Sequence, residues 1–316
     1  MYRFLAFLLV CSSCNPFVFG NAIPEKPFLV LDGFSEKPYY GVRDVCMTPD
    51  GAIYALNKEG TRVYKHDRKG RYLKTLGGKG QGPGEFTKCH SLLFVKGKLW
   101  VVDFMGYKLN LFENDVFVKS IQLESAYTKL IEMGEFVCVA PLNLSAEFLL
   151  FNFDGELVRK FTVDQNIQTE LNELAPGIWR SINSAAVSPA ELVIGFVFLP
   201  VIATVDLTGE TTSVWEMDRY YSSYPQKTSR GVLPLAFSAI NYAVGPKGLL
   251  WLTPCEEQDG QSVCSNLYQF NLTTMELVGR KKLPAHHRLI KFLNEKRTLV
   301  MIDEEFIARF YHIKDE

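Results

Sequence analysis

The stretch GGKGQGPGEF, residues 77 to 86, places five glycines and one proline within ten positions. A Walker-type phosphate loop needs Gly-Lys followed by Ser or Thr, whereas the Gly-Lys here is followed by Gly80, and a dinucleotide fingerprint would need glycine in place of Pro83. Both motifs open a helix, but the following HSLLFVKGKLWVVDF has no helical period. The stretch therefore predicts a joint between two strands, anchored by Phe86 and turned by glycines that accept positive φ angles.

A segment with a turn glycine or polar residue, an aliphatic residue and an apolar run recurs six times, at residues 51–57, 97–103, 134–139, 191–195, 248–253 and 297–303. A polar turn and a further apolar segment follow, at residues 62–67, 108–113, 148–154, 202–206, 267–271 and 306–311. After some of these comes a fourth segment, as at residues 72–76 and 157–161. The period predicts repeated four-stranded antiparallel units of roughly 40 to 55 residues, the size of a propeller blade.

The sixth unit has no fourth segment, because the sequence given stops soon after residue 311. The segment Phe28 to Asp32 precedes the first unit and can supply the missing outer strand. Stacking the units in a closed ring removes their apolar faces from water. The sequence therefore predicts an all-β fold over residues 21–316, a six-bladed β-propeller whose ring is closed by an N-terminal strand.

Residues 1–20 have the pattern of an export signal, with Arg3 followed by an apolar stretch too short to span a bilayer. Ser12-Ser13-Cys14 resembles the lipobox of bacterial lipoproteins, which predicts lipidation at Cys14. The alternative is ordinary signal cleavage after Gly20, since Val18-Phe19-Gly20 has a small-x-small pattern. In either case the segment predicts an exported protein.

Export permits disulfides, and Cys255 and Cys264 enclose a polar, glycine-containing loop that predicts a hairpin closed by a bridge. Cys46, Cys89 and Cys138 fall within apolar runs and are predicted to be buried core residues. The chain has 34 Lys and Arg against 35 Asp and Glu and no block of five like charges. This balance argues against a nucleic-acid partner.

The chain resembles the bacterial six-bladed β-propeller lipoproteins, which are similar to NHL-repeat propellers. The resemblance rests on Gly-Pro-Gly-Glu-Phe at 82–86, LWVVD at 99–103, KLNLFE at 108–113 and the lipobox-like start. It covers the first two blades closely and the others in outline. It implies an exported protein with a binding role in the cell envelope. Some related propellers are metal-dependent lactonases or amidating lyases, but none of their ligands carries over to this sequence.

No HExxH, GxSxG or second CxxC motif is present, so the sequence predicts neither a cofactor nor a catalytic residue. His90 enters an innermost strand and is predicted to lie near the central channel, where His286-His287 of the sixth unit could meet it. These histidines with a carboxylate would form a metal site. The alternative function is therefore a metal-dependent hydrolase or lyase with its site in the channel.

Two long connections carry aromatic and basic residues that suit a binding surface. The first connection spans residues 165–181 and contains a short helix predicted to end before Pro176. The second connection spans residues 217–236. The alternative is that these loops pack over their own blades. The predicted ligand-binding residues of the two connections and of the channel are Trp179, Arg180, Tyr220, Tyr221, Tyr224, Arg230 and His90.

These observations favour a monomeric binding or scaffold propeller over an enzyme. Its predicted location is the bacterial cell envelope, periplasmic or surface-exposed, with the membrane contacted only through the lipid. Its predicted partner is a protein or glycan of the envelope, held at the loop-rich mouth of the ring.

Overall fold

A computed structural model describes the chain over residues 23–32, 41–174, 182–196, 201–216, 226–228, 231–233, 241–253, 256–258, 261–263, 266–283, 287–293 and 297–313. Strand β1 spans Leu29–Leu31. Blade 1 consists of β2 (Val42–Met47), β3 (Ile53–Asn57), β4 (Val63–His66) and β5 (Tyr72–Leu76). Blade 2 consists of β6 (Cys89–Val95), β7 (Lys98–Asp103), β8 (Lys108–Glu113) and β9 (Val116–Gln122). Blade 3 consists of β10 (Tyr127–Met133), β11 (Phe136–Pro141), β12 (Phe148–Phe151) and β13 (Leu157–Phe161).

Helix α1 (Gln165–Leu174) follows blade 3. Blade 4 consists of β14 (Ile182–Ser188), β15 (Glu191–Phe196), β16 (Val201–Asp206) and β17 (Thr211–Glu216). A hairpin of β18 (Gln226–Thr228) and β19 (Gly231–Leu233) comes next. Blade 5 consists of β20 (Asn241–Val244), a 3-10 turn (Pro246–Gly248), β21 (Leu249–Thr253), the hairpin β22 (Glu256–Gln258) and β23 (Gln261–Val263), β24 (Asn266–Asn271) and β25 (Leu277–Lys282). Blade 6 consists of β26 (His287–Leu293), β27 (Thr298–Asp303) and β28 (Ala308–His312), completed by β1.

The second strands are buried on both faces, because alternate residues pack against the two neighbouring blades. In β7, Leu99 and Val101 join a cluster with blade 1, whereas Trp100 and Val102 join a cluster with blade 3. Each pair of adjacent blades shares one such apolar cluster, including the pair formed by blades 6 and 1. This distribution explains why the second strands carry the clearest repeat in the sequence.

The first strand of each blade contacts the first strands of its neighbours, so these strands form the inner ring around the central channel. Blade 6 closes against blade 1 through the N-terminal strand, as the sequence predicted. β1 pairs antiparallel with β28, and Leu31 packs with Val42 and Phe310. The predicted six-bladed β-propeller with four-stranded antiparallel blades is therefore confirmed.

The glycine-rich stretch is the joint between blades 1 and 2. Its turn is closed by hydrogen bonds from the Phe86 amide to Gly78 and from the Gly80 amide to Phe86. The Phe86 ring is fully buried between Leu76 at the end of blade 1 and Phe112 of blade 2. The predicted role of the stretch as an anchored joint is confirmed.

A short helix, α1, lies where the sequence predicted one, over Gln165–Leu174, and Ile167 buries its side chain against blades 3 and 4. Pro176, before which the helix was predicted to end, lies outside the described residues. The segment between Cys255 and Cys264 contains the predicted hairpin, β22 with β23, although the two cysteines lie outside the described residues. No helix in the described part of the chain is long and apolar enough to cross a membrane.

Candidate functional site

Most residues predicted for the binding site lie outside the part of the chain that the structure describes. This is so for Trp179, Arg180, Tyr220, Tyr221, Tyr224 and Arg230, and also for the predicted lipidation site Cys14 and the predicted bridge of Cys255 with Cys264. Their assignments stay predictions. His90 is the one predicted ligand-binding residue that is described.

His90 lies at the mouth end of β6, at a bulge in the inner ring. Its half-buried ring lies 5.0 Å from that of Phe104, measured between ring centres. Burial, together with the cations of Arg43 and Lys88, lowers the pKa of His90 to about 4, while Asp44 opposes the shift. The imidazole is therefore neutral at physiological pH.

The predicted metal site finds no support in the described residues. His287 is buried at the start of β26, and His286 lies outside the described residues. Within the described ranges, no group of three or more His, Cys, Asp or Glu side chains is placed to hold a metal ion. Cys46, Cys89 and Cys138 are buried as predicted, and burial raises the pKa of each thiol.

The carboxylates that follow the second strands hold turns. Asp103 accepts hydrogen bonds from the amides of Gly106, Thr87 and Lys88, so it fixes both the following turn and the end of the glycine-rich joint. Asp303 accepts the amides of Glu305 and Ile307 in the equivalent turn of blade 6. Both carboxylates therefore cap the turns that follow their strands.

The inner ring contains an ion pair that no sequence motif predicts. Lys291 of β26 contacts both carboxylate oxygens of Asp44 on β2, at 3.0 and 3.1 Å, and donates to the Leu92 carbonyl at 2.8 Å. Asp44 also accepts the amides of Val45 and Leu92. Because blades 6 and 2 are not neighbours in the ring, the Lys291 ammonium lies on the channel side of blade 1.

A second lysine points into the same channel from the opposite side. Lys129 of β10 donates to the side-chain oxygen of Asn183 on β14 at 2.8 Å. Burial and the positive charge of Lys291 lower the pKa of Lys129 to about 8, against a smaller opposing effect of Asp44. We call Asp44, Lys129, Asn183 and Lys291 the channel cluster.

Only one local signal points to the channel cluster. First strands carry charged residues within otherwise apolar runs, as in VRDVCM at 42–47, YTKLIEM at 127–133 and HRLIKFL at 287–293. A charge in such a run indicates a partner or access to water. The pairing itself is invisible in the sequence, because Asp44 and Lys291 are 247 positions apart.

The mouth of the ring, where first strands begin and second strands end, exposes apolar side chains on two neighbouring turns. Met105 and Tyr107 follow β7 and are 50% and 45% exposed, and Leu142 follows β11 and is 40% exposed. The connection between blades 2 and 3 lies between the two turns: Leu123 donates its amide to Tyr107, and Leu142 donates its amide to Ala126. We call Met105, Tyr107 and Leu142 the mouth patch.

Comparison with known proteins agrees with this architecture. The family model DUF5128, described as a 6-bladed beta-propeller, matches residues 25–155. No curated protein matches the chain significantly. The chain is a six-bladed β-propeller by its own strand topology, and the matched family describes the same fold.

Several solved propellers have similar structures at low sequence identity. A catalytically inactive virginiamycin B lyase from Staphylococcus aureus with quinupristin has a TM-score of 0.56 at 11% identity, over 88% of this chain and 86% of that one. Streptogramin B lyase has a TM-score of 0.53 at 15% identity, over 88% and 84%. The WD40 repeats of RRP9 have a TM-score of 0.59 at 11% identity, over 92% and 99%. At these identities the similarity concerns the fold alone.

Proposed function

We propose that this chain is an exported, lipid-anchored binding propeller of the bacterial cell envelope that holds a protein partner at its mouth. The observation that carries the proposal is the mouth patch, three exposed apolar side chains on two adjacent turns of blades 2 and 3. Exposed apolar side chains on adjacent loops at one end of a domain favour a protein-interaction site.

The turns that carry the mouth patch are held in place before any partner arrives. Two hydrogen bonds fix the Met105–Tyr107 turn. The Gly106 amide donates to the Asp103 carboxylate, and the Leu123 amide donates to the Tyr107 carbonyl. The Gln122 side chain donates to the same carbonyl at 2.9 Å. Binding at a fixed surface loses less conformational entropy than binding at a mobile one, which favours affinity.

Cationic side chains lie at the same end of the ring as the mouth patch. Arg43 and Lys88 place cations around His90 at the same end of the ring, and Lys58 lies over the Phe306 ring at 4.9 Å. An apolar centre with a charged rim is the usual composition of a protein interface. The two long connections predicted to carry Trp179, Tyr220, Tyr221 and Tyr224 would extend the same surface.

The test is capture from envelope extracts by purified protein carrying Met105→Ser and Tyr107→Ser. The matched control is Val116→Ser with Val118→Ser, which removes two exposed apolar side chains from the outer strand of blade 2, away from the mouth. We expect the mouth variant to lose at least about tenfold of the captured partner and the control to retain it. Equal capture by both variants would refute the site, and capture that survives protease treatment of the extract would assign a glycan instead.

The lipid anchor is tested separately. Metabolic labelling with a fatty-acid analogue should mark the natural chain and leave the Cys14→Ala variant unlabelled. Labelling that persists in the variant would place the lipid on a residue other than Cys14, and absence of labelling from both chains would favour ordinary signal cleavage. The result does not depend on the partner, so the anchor and the binding site can fail independently.

A further inference from the structure

The channel cluster carries an unbalanced positive charge. The two oxygens of Asp44 are occupied by Lys291 and by the amides of Val45 and Leu92. Lys129 instead contacts a neutral amide, the side chain of Asn183. The described charged groups of the cluster are therefore two ammonium groups and one carboxylate, and the excess charge lies at Lys129.

We infer that the channel binds a small monoanionic carboxylate, with the Lys129 ammonium donating a hydrogen bond to it and Lys291 adding electrostatic attraction. One negative charge balances the cluster. Both lysines are partly buried in the inner ring, and this partial burial strengthens both the attraction and the hydrogen bond. This site is separate from the mouth patch and does not rest on the proposed partner.

The protonation of Lys129 gives the site a pH signature. The charged groups acting on it are Lys291 on β26 and Asp44 on β2, while its direct partner Asn183 on β14 and the nearby Ser91 on β6 are neutral. The pKa of Lys129 is about 8 in the free protein. A bound carboxylate stabilises the charged form and raises that pKa, so binding takes up protons near pH 8 and weakens as the pH rises further.

The experiment is calorimetric titration of the full exported domain with acetate, in buffers of different ionisation heat at pH 8. We expect binding whose heat depends on the buffer. Lys129→Met should lower the affinity about tenfold or more, and Lys119→Met, which removes a lysine from an outer strand, should not. Lys129→Arg should keep the binding and lose the proton uptake, because arginine does not titrate in this range.

Thermal unfolding of each variant shows that it is folded before titration. Absence of acetate binding to the natural protein, or equal affinity in Lys129→Met, would overturn the inference. Phosphate binding that exceeds acetate binding and also depends on Lys129 would contradict the monoanionic assignment. The natural protein alone can therefore refute the site, even if a lysine variant does not fold.

Discussion

Asp115 joins two blades through one carboxylate. It lies in the turn between β8 and β9 of blade 2, yet it accepts hydrogen bonds from the Tyr54 hydroxyl and from the ammonium groups of Lys65 and Lys74 in blade 1, both lysines at 2.8 Å. Burial acts to raise the pKa of Asp115, but the bonds from the two lysines and Tyr54 outweigh it and lower the pKa. The ionised carboxylate therefore stabilises the contact between blades 1 and 2.

Replacing Asp115 with Asn should destabilise the protein by about 1 to 2 kcal/mol at pH 7, since the two lysines lose their shared carboxylate. A carboxyl with a lowered folded pKa contributes its full stability above its unfolded pKa of about 4, and that contribution is lost as the pH falls through the folded value. Urea unfolding at pH 7 and pH 3 should show the difference from the natural protein shrinking at the lower pH. Asp154→Asn, which removes an exposed partner of Lys98, is the control and should have a smaller effect at both. A loss from Asp115→Asn that is independent of pH would contradict the electrostatic explanation.

Gly77 and Gly78 are adjacent but meet different constraints. Gly77 has a φ of 71°, and a Cβ there would lie 2.1 Å from the Phe86 ring, whereas a Cβ at Gly78 meets nothing within 4 Å. We expect Gly77→Ala to destabilise the protein by about 1 to 3 kcal/mol and Gly78→Ala to be neutral or slightly stabilising. Thermal unfolding of the two variants gives the comparison. Equal melting temperatures would mean that Phe86 does not anchor the joint.

At the scale of the element, the outer strand of blade 6 depends on a segment from the other end of the chain. β1 pairs with β28 through Leu29 with Phe310, Val30 with Arg309 and Leu31 with Ala308. Leu31 is 6% exposed and packs between blades 6 and 1, whereas Val30 is 43% exposed on the other face of the same strand. Substitutions at Leu31 and Val30 therefore distinguish the stability that comes from side-chain packing from the stability that comes from strand pairing.

Leu31→Ala should destabilise the protein by about 2 to 4 kcal/mol, because it opens a cavity where the ring closes, and Val30→Ala should cost much less. Amide hydrogen exchange of β27 and β28 should be faster in Leu31→Ala and unchanged in Val30→Ala. If both variants exchange at the natural rate in these strands, β1 does not secure the closure of the ring.

At the scale of the whole molecule, the repeated strands of the blades could be predicted from the sequence, whereas the side-chain pairs that form across the ring could not. Second strands such as 97–103 are buried between two blades, so their apolar residues recur with the blade period and reveal the fold. Phe86 and the segment Phe28 to Asp32 were predictable because a joint and a missing outer strand follow from that period. The channel cluster depends on residues from β2, β10, β14 and β26, which no local pattern brings together. Likewise, the exposure of Met105 and Leu142 follows from their turns rather than from any motif.

The most direct test of the proposed role is a hydrogen-exchange comparison of the free propeller with the complex captured from the envelope. A partner held at the mouth should slow exchange in the turns at residues 104–107 and 142–146 and in the connection at 123–126. The outer strands β5, β9 and β13 should exchange as in the free protein. Slower exchange confined to those outer strands, with the mouth turns unchanged, would contradict binding at the mouth.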